Sequence, residues 1–157
     1  MTGEHLSRDL QELIRCLTTH GVRYLVVGGE AVIHHGYPRV TGDLDLFWDR
    51  TPENAERLFA ALLEFWDGPV PGIEAAEELH QPGYFVQFGR APNRLDLLNA
   101  LGTVDFDGAW ERRVRETVVI GGEELPLPII GFDDLIQAKR DAGRLKDLAD
   151  IEYLTKD

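Results

Sequence analysis

Two aspartates, Asp43 and Asp45, stand two residues apart in the stretch TGDLDLFWD, with Leu44 and Leu46 beside them. Side chains of a strand alternate faces, so the two carboxylates share one face while the leucines enter the core. Like charges held side by side repel, and a cation between them relieves that repulsion. Paired carboxylates with few other ligands suit Mg²⁺, which takes oxygen ligands and shares its shell with substrate phosphates. A third aspartate, Asp96, has the same apolar setting in RLDLL. If its strand neighbours the first, three carboxylates meet at one sheet edge. Such a set can hold two Mg²⁺ ions about 4 Å apart and clamp both oxygens of an in-line phosphoryl displacement. Upstream, the apolar run Tyr24–Val27 ends in Gly28-Gly29. Glycines after a strand let backbone N–H groups approach phosphate oxygens, aided by the N-terminus of the next helix.

The elements that must position these groups are legible in the periodicities. Leu6, Leu10, Leu13, Ile14 and Leu17 recur at helical spacing over residues 6–19, and Gly21 stops that helix. Strands are expected at 24–27 and 43–48, with one or two helical turns at 30–35 between them. Thr51 and Pro52 read as the cap and first position of a helix running to Trp66. Residues 67–83 carry prolines and glycines and read as a loop with a short helix near 73–79. A hairpin of strands 84–88 and 94–98 follows, then an amphipathic helix over 106–115. A second hairpin, 117–120 with 124–127, turns at Gly121-Gly122. Helices Phe132–Ala142 and 145–154, broken at Gly143, close the chain. This order predicts an α/β (α+β) fold, a mixed sheet with flanking helices, in one domain spanning residues 1–157.

Bulk properties narrow the function. The chain has 157 residues, 43% hydrophobic and 28% charged, with a net charge of -12. That charge argues against a broad face for duplex DNA, since phosphate contacts need Lys and Arg. The one cysteine, Cys16, lies in the apolar helical pattern and reads as a core filler. The polar N-terminus reads as no signal peptide, and no apolar run approaches the roughly 18 residues that span a bilayer. A cytoplasmic location is therefore expected. His34 and His35 are adjacent on a helix and point apart, so they suit structural roles better than a metal pair. Phe47, Trp48, Phe59, Phe65, Trp66 and Trp110 stand at core-like positions and read mostly as packing groups, and Tyr84 and Phe85 read as core or rim packing with stacking on a base as the alternative. Lys139, Arg144 and Lys146 lie among Asp141, Asp147 and Asp150, as surface ion pairs on two helices would.

Gly-Gly, a spacer, Asp-Leu-Asp-Leu and the later Asp96 together resemble the nucleotidyltransferase superfamily with the DNA polymerase β-like palm. The stretch HHGYPRVTGDLDL and the tail around Lys139, Arg144, Lys146, Asp147 and Asp150 resemble the minimal bacterial branch that includes AbiEii-type toxins. The likeness covers most of the chain, least of all 67–83. It implies a palm sheet followed by two C-terminal helices, and transfer of a nucleoside monophosphate from an NTP to a hydroxyl. The family pattern puts two Mg²⁺ ions on Asp43 and Asp45, with Asp96 on the catalytic ion, orienting or deprotonating the acceptor. Gly28, Gly29 and Thr41, with the cations of Arg39, Lys139, Arg144 and Lys146, are the candidates for holding the nucleotide. The acceptor is left open among a protein, a small RNA end and a small molecule, as is an antitoxin or other cognate protein partner. Relatives often carry serine where Gly29 stands, and Glu30 puts an acid near the expected phosphate site. The alternative is a catalytically silent partner that keeps the fold and binds nucleotide or protein.

Overall fold

The computed structural model describes residues 3–38, 41, 43–90 and 93–156. Arg39, a candidate nucleotide-binding cation, lies outside the described residues. Among the described residues are six helices, six strands and one short 3₁₀ helix. Helix α1, Arg8–Thr19, starts where the Ser7 hydroxyl accepts from the Leu10 N–H, and it buries Leu10, Leu13, Ile14, Cys16 and Leu17. Burying each such leucine or isoleucine contributes about 1.5–3 kcal/mol. Strand β1, Tyr24–Val27, is buried throughout. Helix α2, Gly28–His34, leaves it directly, and β2, Leu44–Trp48, follows. Helix α3, Pro52–Trp66, begins at a Thr51 cap with proline in its first turn. The 3₁₀ helix Ala76–His80 then leads to β3, Phe85–Phe88, and β4, Leu95–Leu98. Helix α4, Phe106–Glu111, strands β5, Val114–Ile120, and β6, Glu123–Ile129, and helices α5, Phe132–Ala142, and α6, Leu145–Thr155, complete the chain.

The strands form one sheet in the order β3-β4-β2-β1-β6-β5. It is mixed: β1 runs antiparallel to β2 and parallel to β6, β2 runs parallel to β4, and the two hairpins are antiparallel. The α/β (α+β) class with a mixed sheet and flanking helices is thus observed. Helix α1 packs on α3 and on β6, while α5 packs on α6. Trp48 donates from Nε1 to the Leu79 carbonyl at 2.8 Å, pinning the 3₁₀ segment against β2.

Two expectations need correction. The helix over 106–115 ends at Glu111, β5 starts three residues before the expected 117–120, and β6 runs past 124–127 at both ends. The reason is the β-branched run through Val114, Thr117, Val118, Val119 and Ile120. It gains more by pairing along all of β6 than by prolonging a helix. Trp66 is not a core group: it is exposed and lies against Phe65 and Phe88, while Phe85, expected in the core or at its rim, is 56% exposed. No helix of the described residues is long and apolar enough to cross a membrane.

Candidate active site

Strands β2 and β4 are adjacent and parallel, and their register sets Asp45 directly beside Asp96. Leu44, Leu46, Leu95 and Leu97 anchor the two strands in the core. The carboxylates are therefore fixed by the backbone and cannot swing away from each other far. Burial, the Asp96 charge and the hydrogen bond that protonated Asp45 donates to Asp96 push Asp45 up to about 6, which Arg94 opposes and Asp43 reinforces. The Asp96 carboxylate also accepts from Gln87 Nε2 at 3.0 Å, across the β3–β4 pair.

Asp43 sits one residue before β2 and outside this pair. Its backbone N–H donates to Thr41 Oγ1, and its Oδ1 accepts from the Arg94 N–H at 3.1 Å. The link between the three carboxylates is the Arg94 side chain. Its Nη2 lies 3.6 Å from Asp43 Oδ2 and its Nε 3.3 Å from Asp96 Oδ1. Sequence reasoning did not single out Arg94. The signal was present in RLDLL, since a cation two residues before Asp96 shares its face of the strand. Arg94→Gln is expected to cost about 1–2 kcal/mol without divalent ions, because three carboxylates then repel uncompensated. Millimolar Mg²⁺ should restore that loss. Urea unfolding with and without the ion checks this, and an Mg²⁺-insensitive deficit would refute it.

Gly28 turns the chain beneath Asp45. Its φ is +64°, and a Cβ there would lie 1.9 Å from Asp45 Oδ2 and 2.9 Å from Asp45 Cβ. Gly29 differs: a Cβ there would meet only the Thr41 side chain, at 3.2 Å. Gly28→Ala is therefore expected to cost about 3 kcal/mol, from left-handed backbone strain plus overlap that the strand cannot relieve. Gly29→Ala should cost under about 1 kcal/mol. Thermal unfolding of the two variants separates these; equal losses would mean that Gly28 does not carry the close approach.

A cavity of about 390 Å³ opens over this pair. Gly28, Asp45, Arg94 and Asp96 line one part, and Lys139, Arg144 and Lys146 from the last two helices line another. Asp43, Gly29 and Thr41 do not line it. The cations are not alike. Arg144 and Lys146 are exposed, and Arg144 lies close enough to Asp45 for the carboxylate to help raise its pKa, after the hydrogen bond to Asp147. Lys139 is 7% exposed, with Nζ 3.3 Å from Asp147 and 2.9 Å from Asp150. Burial opposes ionisation of Asp147, but Arg144 and Lys139 outweigh it and hold that carboxyl below its usual range. This is a buried network, where surface ion pairs were expected. Exposed Phe85 also lines the cavity.

The remaining candidates lie elsewhere. Glu30 turns away from the cavity to His5, 3.1 Å distant. His35 bonds to the Ile130 carbonyl at 2.8 Å and joins α2 to the end of β6. Glu12, Cys16 and Glu64 bring three ligand atoms within 4.8 Å of one another. Burial and the two glutamates push the Cys16 thiol up to about 12, so it stays protonated and packs as a core group.

Neither the protein-family models nor the curated proteins contain a match to this chain. On the sheet side of the cavity the Asp45 and Asp96 carboxylates offer the oxygen donors that a hard divalent cation takes, with the Arg94 guanidinium and the Gln87 amide beside them and Asp45 ionised above pH 6.

Proposed function

We propose that this protein is a Mg²⁺-dependent nucleotidyltransferase that moves a nucleoside monophosphate from an NTP to a hydroxyl and releases pyrophosphate. The observation that carries the reading is the in-register pair Asp45–Asp96 above the Gly28 turn. Two carboxylates so close are costly in an otherwise apolar strand pair, and a polyphosphate-bound cation is the ligand that makes them useful. Asp45 and Asp96 would hold the metal, with Asp43 joining from behind Arg94. Bound Mg²⁺ supplies charge neutralisation at the phosphates and lowers the pKa of a hydroxyl beside it.

The chain's own groups do the rest. Arg144 and Lys146 face the triphosphate charge as exposed cations, while Lys139 fixes the two helices that carry them. Gln87 holds the Asp96 carboxylate in one orientation. Leu98, Leu101 and Leu135 give the cavity apolar lining, and apolar surroundings strengthen a charge interaction. The acceptor hydroxyl belongs to a protein, a small RNA end or a small molecule. A cytoplasmic setting and a cognate protein partner, as in a toxin–antitoxin pair, accord with this reading.

A second reading draws on Arg94, whose guanidinium already balances Asp43 and Asp96 without any ion. On that reading the fold binds nucleotide or protein but turns nothing over. Calorimetric titration of each of the four NTPs with Mg²⁺, repeated on an Asp43→Asn, Asp45→Asn double variant, tests the proposal. Binding of an NTP that needs Mg²⁺, is lost in the variant and is accompanied by slow pyrophosphate release supports transfer. Binding without release supports the silent partner, and no binding refutes the nucleotide site.

A further inference from the structure

At the start of β1, away from the carboxylates at its end, the surface holds a second depression of about 350 Å³. Leu17, Val22, Trp110 and Pro128 give it apolar walls, and Arg23, Arg113 and Arg115 line it as well. The chain has 16 Lys and Arg against 28 Asp and Glu, so three arginines in one depression run against its overall charge. Arg23 is compensated by Asp49 at 3.0 Å and Asp107 at 3.5 Å. Arg113 and Arg115 make no ion pair among the described residues. Glu116, the carboxylate in the lining, accepts from the Thr117 N–H.

Trp110 organises the cations. The Arg113 guanidinium carbon lies 3.8 Å from the Trp110 ring centre and that of Arg23 5.0 Å, and Phe106 stacks on the far ring at 5.8 Å. A guanidinium held on an indole has lost part of its hydration and much of its rotamer freedom before any partner arrives. Partial burial and the nearby Arg115 and Arg23 charges lower the Arg113 pKa. The fold thus holds two arginines outside any ion pair among the described residues beside apolar walls, with Arg113 Nη1 donating to the Trp110 carbonyl at 2.7 Å and the Glu111 charge partly offsetting its cationic neighbours.

We infer that this depression is a docking site for an acidic segment of a partner protein, one with carboxylates interleaved with apolar side chains. A free inorganic anion would satisfy the arginines but leave the apolar walls wet. A nucleic-acid strand would carry its repeating charge across a surface whose net charge is -12. An acidic peptide answers both features: carboxylates pair in bidentate fashion with guanidinium forks, and apolar side chains cover the walls. Trp and Arg are also the residues on which interface energy concentrates. Arg115 lies on β5, the edge strand, so an extended segment finds unpaired backbone groups beside it. The chain's own Gly3 already uses that edge, donating to the Val119 carbonyl at 3.2 Å. This inference does not depend on the nucleotidyltransferase reading.

The probe is a fluorescein-labelled dodecapeptide of Glu-Leu-Ser repeats, titrated into the full chain by anisotropy. A Lys-Leu-Ser peptide and a single-stranded RNA dodecamer serve as comparisons. Saturable binding of the acidic peptide is expected, weakened at least tenfold in Arg113→Ser, Arg115→Ser. An Arg8→Ser, Arg57→Ser variant, which removes the same charge from exposed helix positions, should bind as the native chain does. Because Arg115 is exposed, Arg115→Glu alone gives the same loss in a variant whose packing is untouched. No binding of the acidic peptide, equal binding by all variants, or tighter binding of the RNA overturns the inference.

Discussion

Asp45→Asn is expected to reduce NTP turnover by at least about a thousandfold, roughly 4 kcal/mol of transition-state stabilisation. The same change should make the protein harder to unfold at pH 8. The second half follows from the pKa. Asp45 binds its proton more tightly in the folded chain, at about 6, than its ordinary value of 3.8. Its contribution to stability is therefore fully present below pH 3.8 and lost as pH rises through 6. Above that, the ionised carboxylate beside Asp96 costs up to about 3 kcal/mol. Asparagine keeps the shape above Gly28 and can donate to Asp96, so it removes the charge without opening a cavity. In EDTA, native stability should fall between pH 4 and 6 beyond what the variant shows. Adding Mg²⁺ at pH 8 should stabilise the native protein and leave the variant unmoved. Urea unfolding of both proteins at pH 4, 6 and 8 in EDTA, and at pH 8 with Mg²⁺, gives these comparisons. A variant less stable than native at pH 8 would mean that the carboxylate pair is not under strain.

Lys139→Met should be the most destabilising single change in the last two helices. Asp147 is 1% exposed and Asp150 2% exposed, and both lie within 3.3 Å of the Lys139 ammonium. Removing the cation takes its charge away from two buried carboxylates, of which Asp147 keeps its bonds to Arg144, and costs about 3–5 kcal/mol at neutral pH. The loss should shrink in acid, where protonation removes the stranded charge. It should also shrink when Asp150→Asn is added, because the two changes share one network. Additive losses in the double variant would show that Lys139 and Asp150 do not act together. Arg144 stays anchored in either variant by its own bonds to Asp147, with Nε 2.6 Å from Oδ2. Nucleotide affinity should therefore fall less in Lys139→Met than in Arg144→Ala.

Much of this architecture was legible from local patterns. The Thr51 cap, the stop at Gly21, the break at Gly143 and the alternation around Asp45 and Asp96 each depend on residues within a few positions. Gly28 was legible as a special position but for another reason. Its freedom is used to clear the Asp45 carboxylate, a contact made across seventeen residues of sequence. Three features lay beyond local patterns. Arg94 meets Asp96 on its own strand but acquires Asp43 only when β4 pairs with β2. The charges of the tail read as solvated because alternating signs on two short helices usually are; only the Gly143 turn folds Asp147 and Asp150 back onto Lys139. Buried Asn54 and Asn99 carried no signal, although each ties a loop through backbone hydrogen bonds. Helix α4 was overrun because Phe106, Ala109 and Trp110 keep helical spacing up to the strand, and the competing pairing partner lies in the next hairpin.

The central claim is that Asp45 and Asp96 form a divalent-cation site. It is tested most directly by adding substoichiometric Mn²⁺ to the ¹⁵N-labelled native chain and recording which amide signals broaden. The expected result is selective loss at Gly28, Leu46 and Leu97, reversed by excess Mg²⁺ and absent in Asp45→Asn. Broadening centred on Leu13 and Leu17, beside Glu12 and Cys16, or spread evenly over the acidic surface, would contradict it.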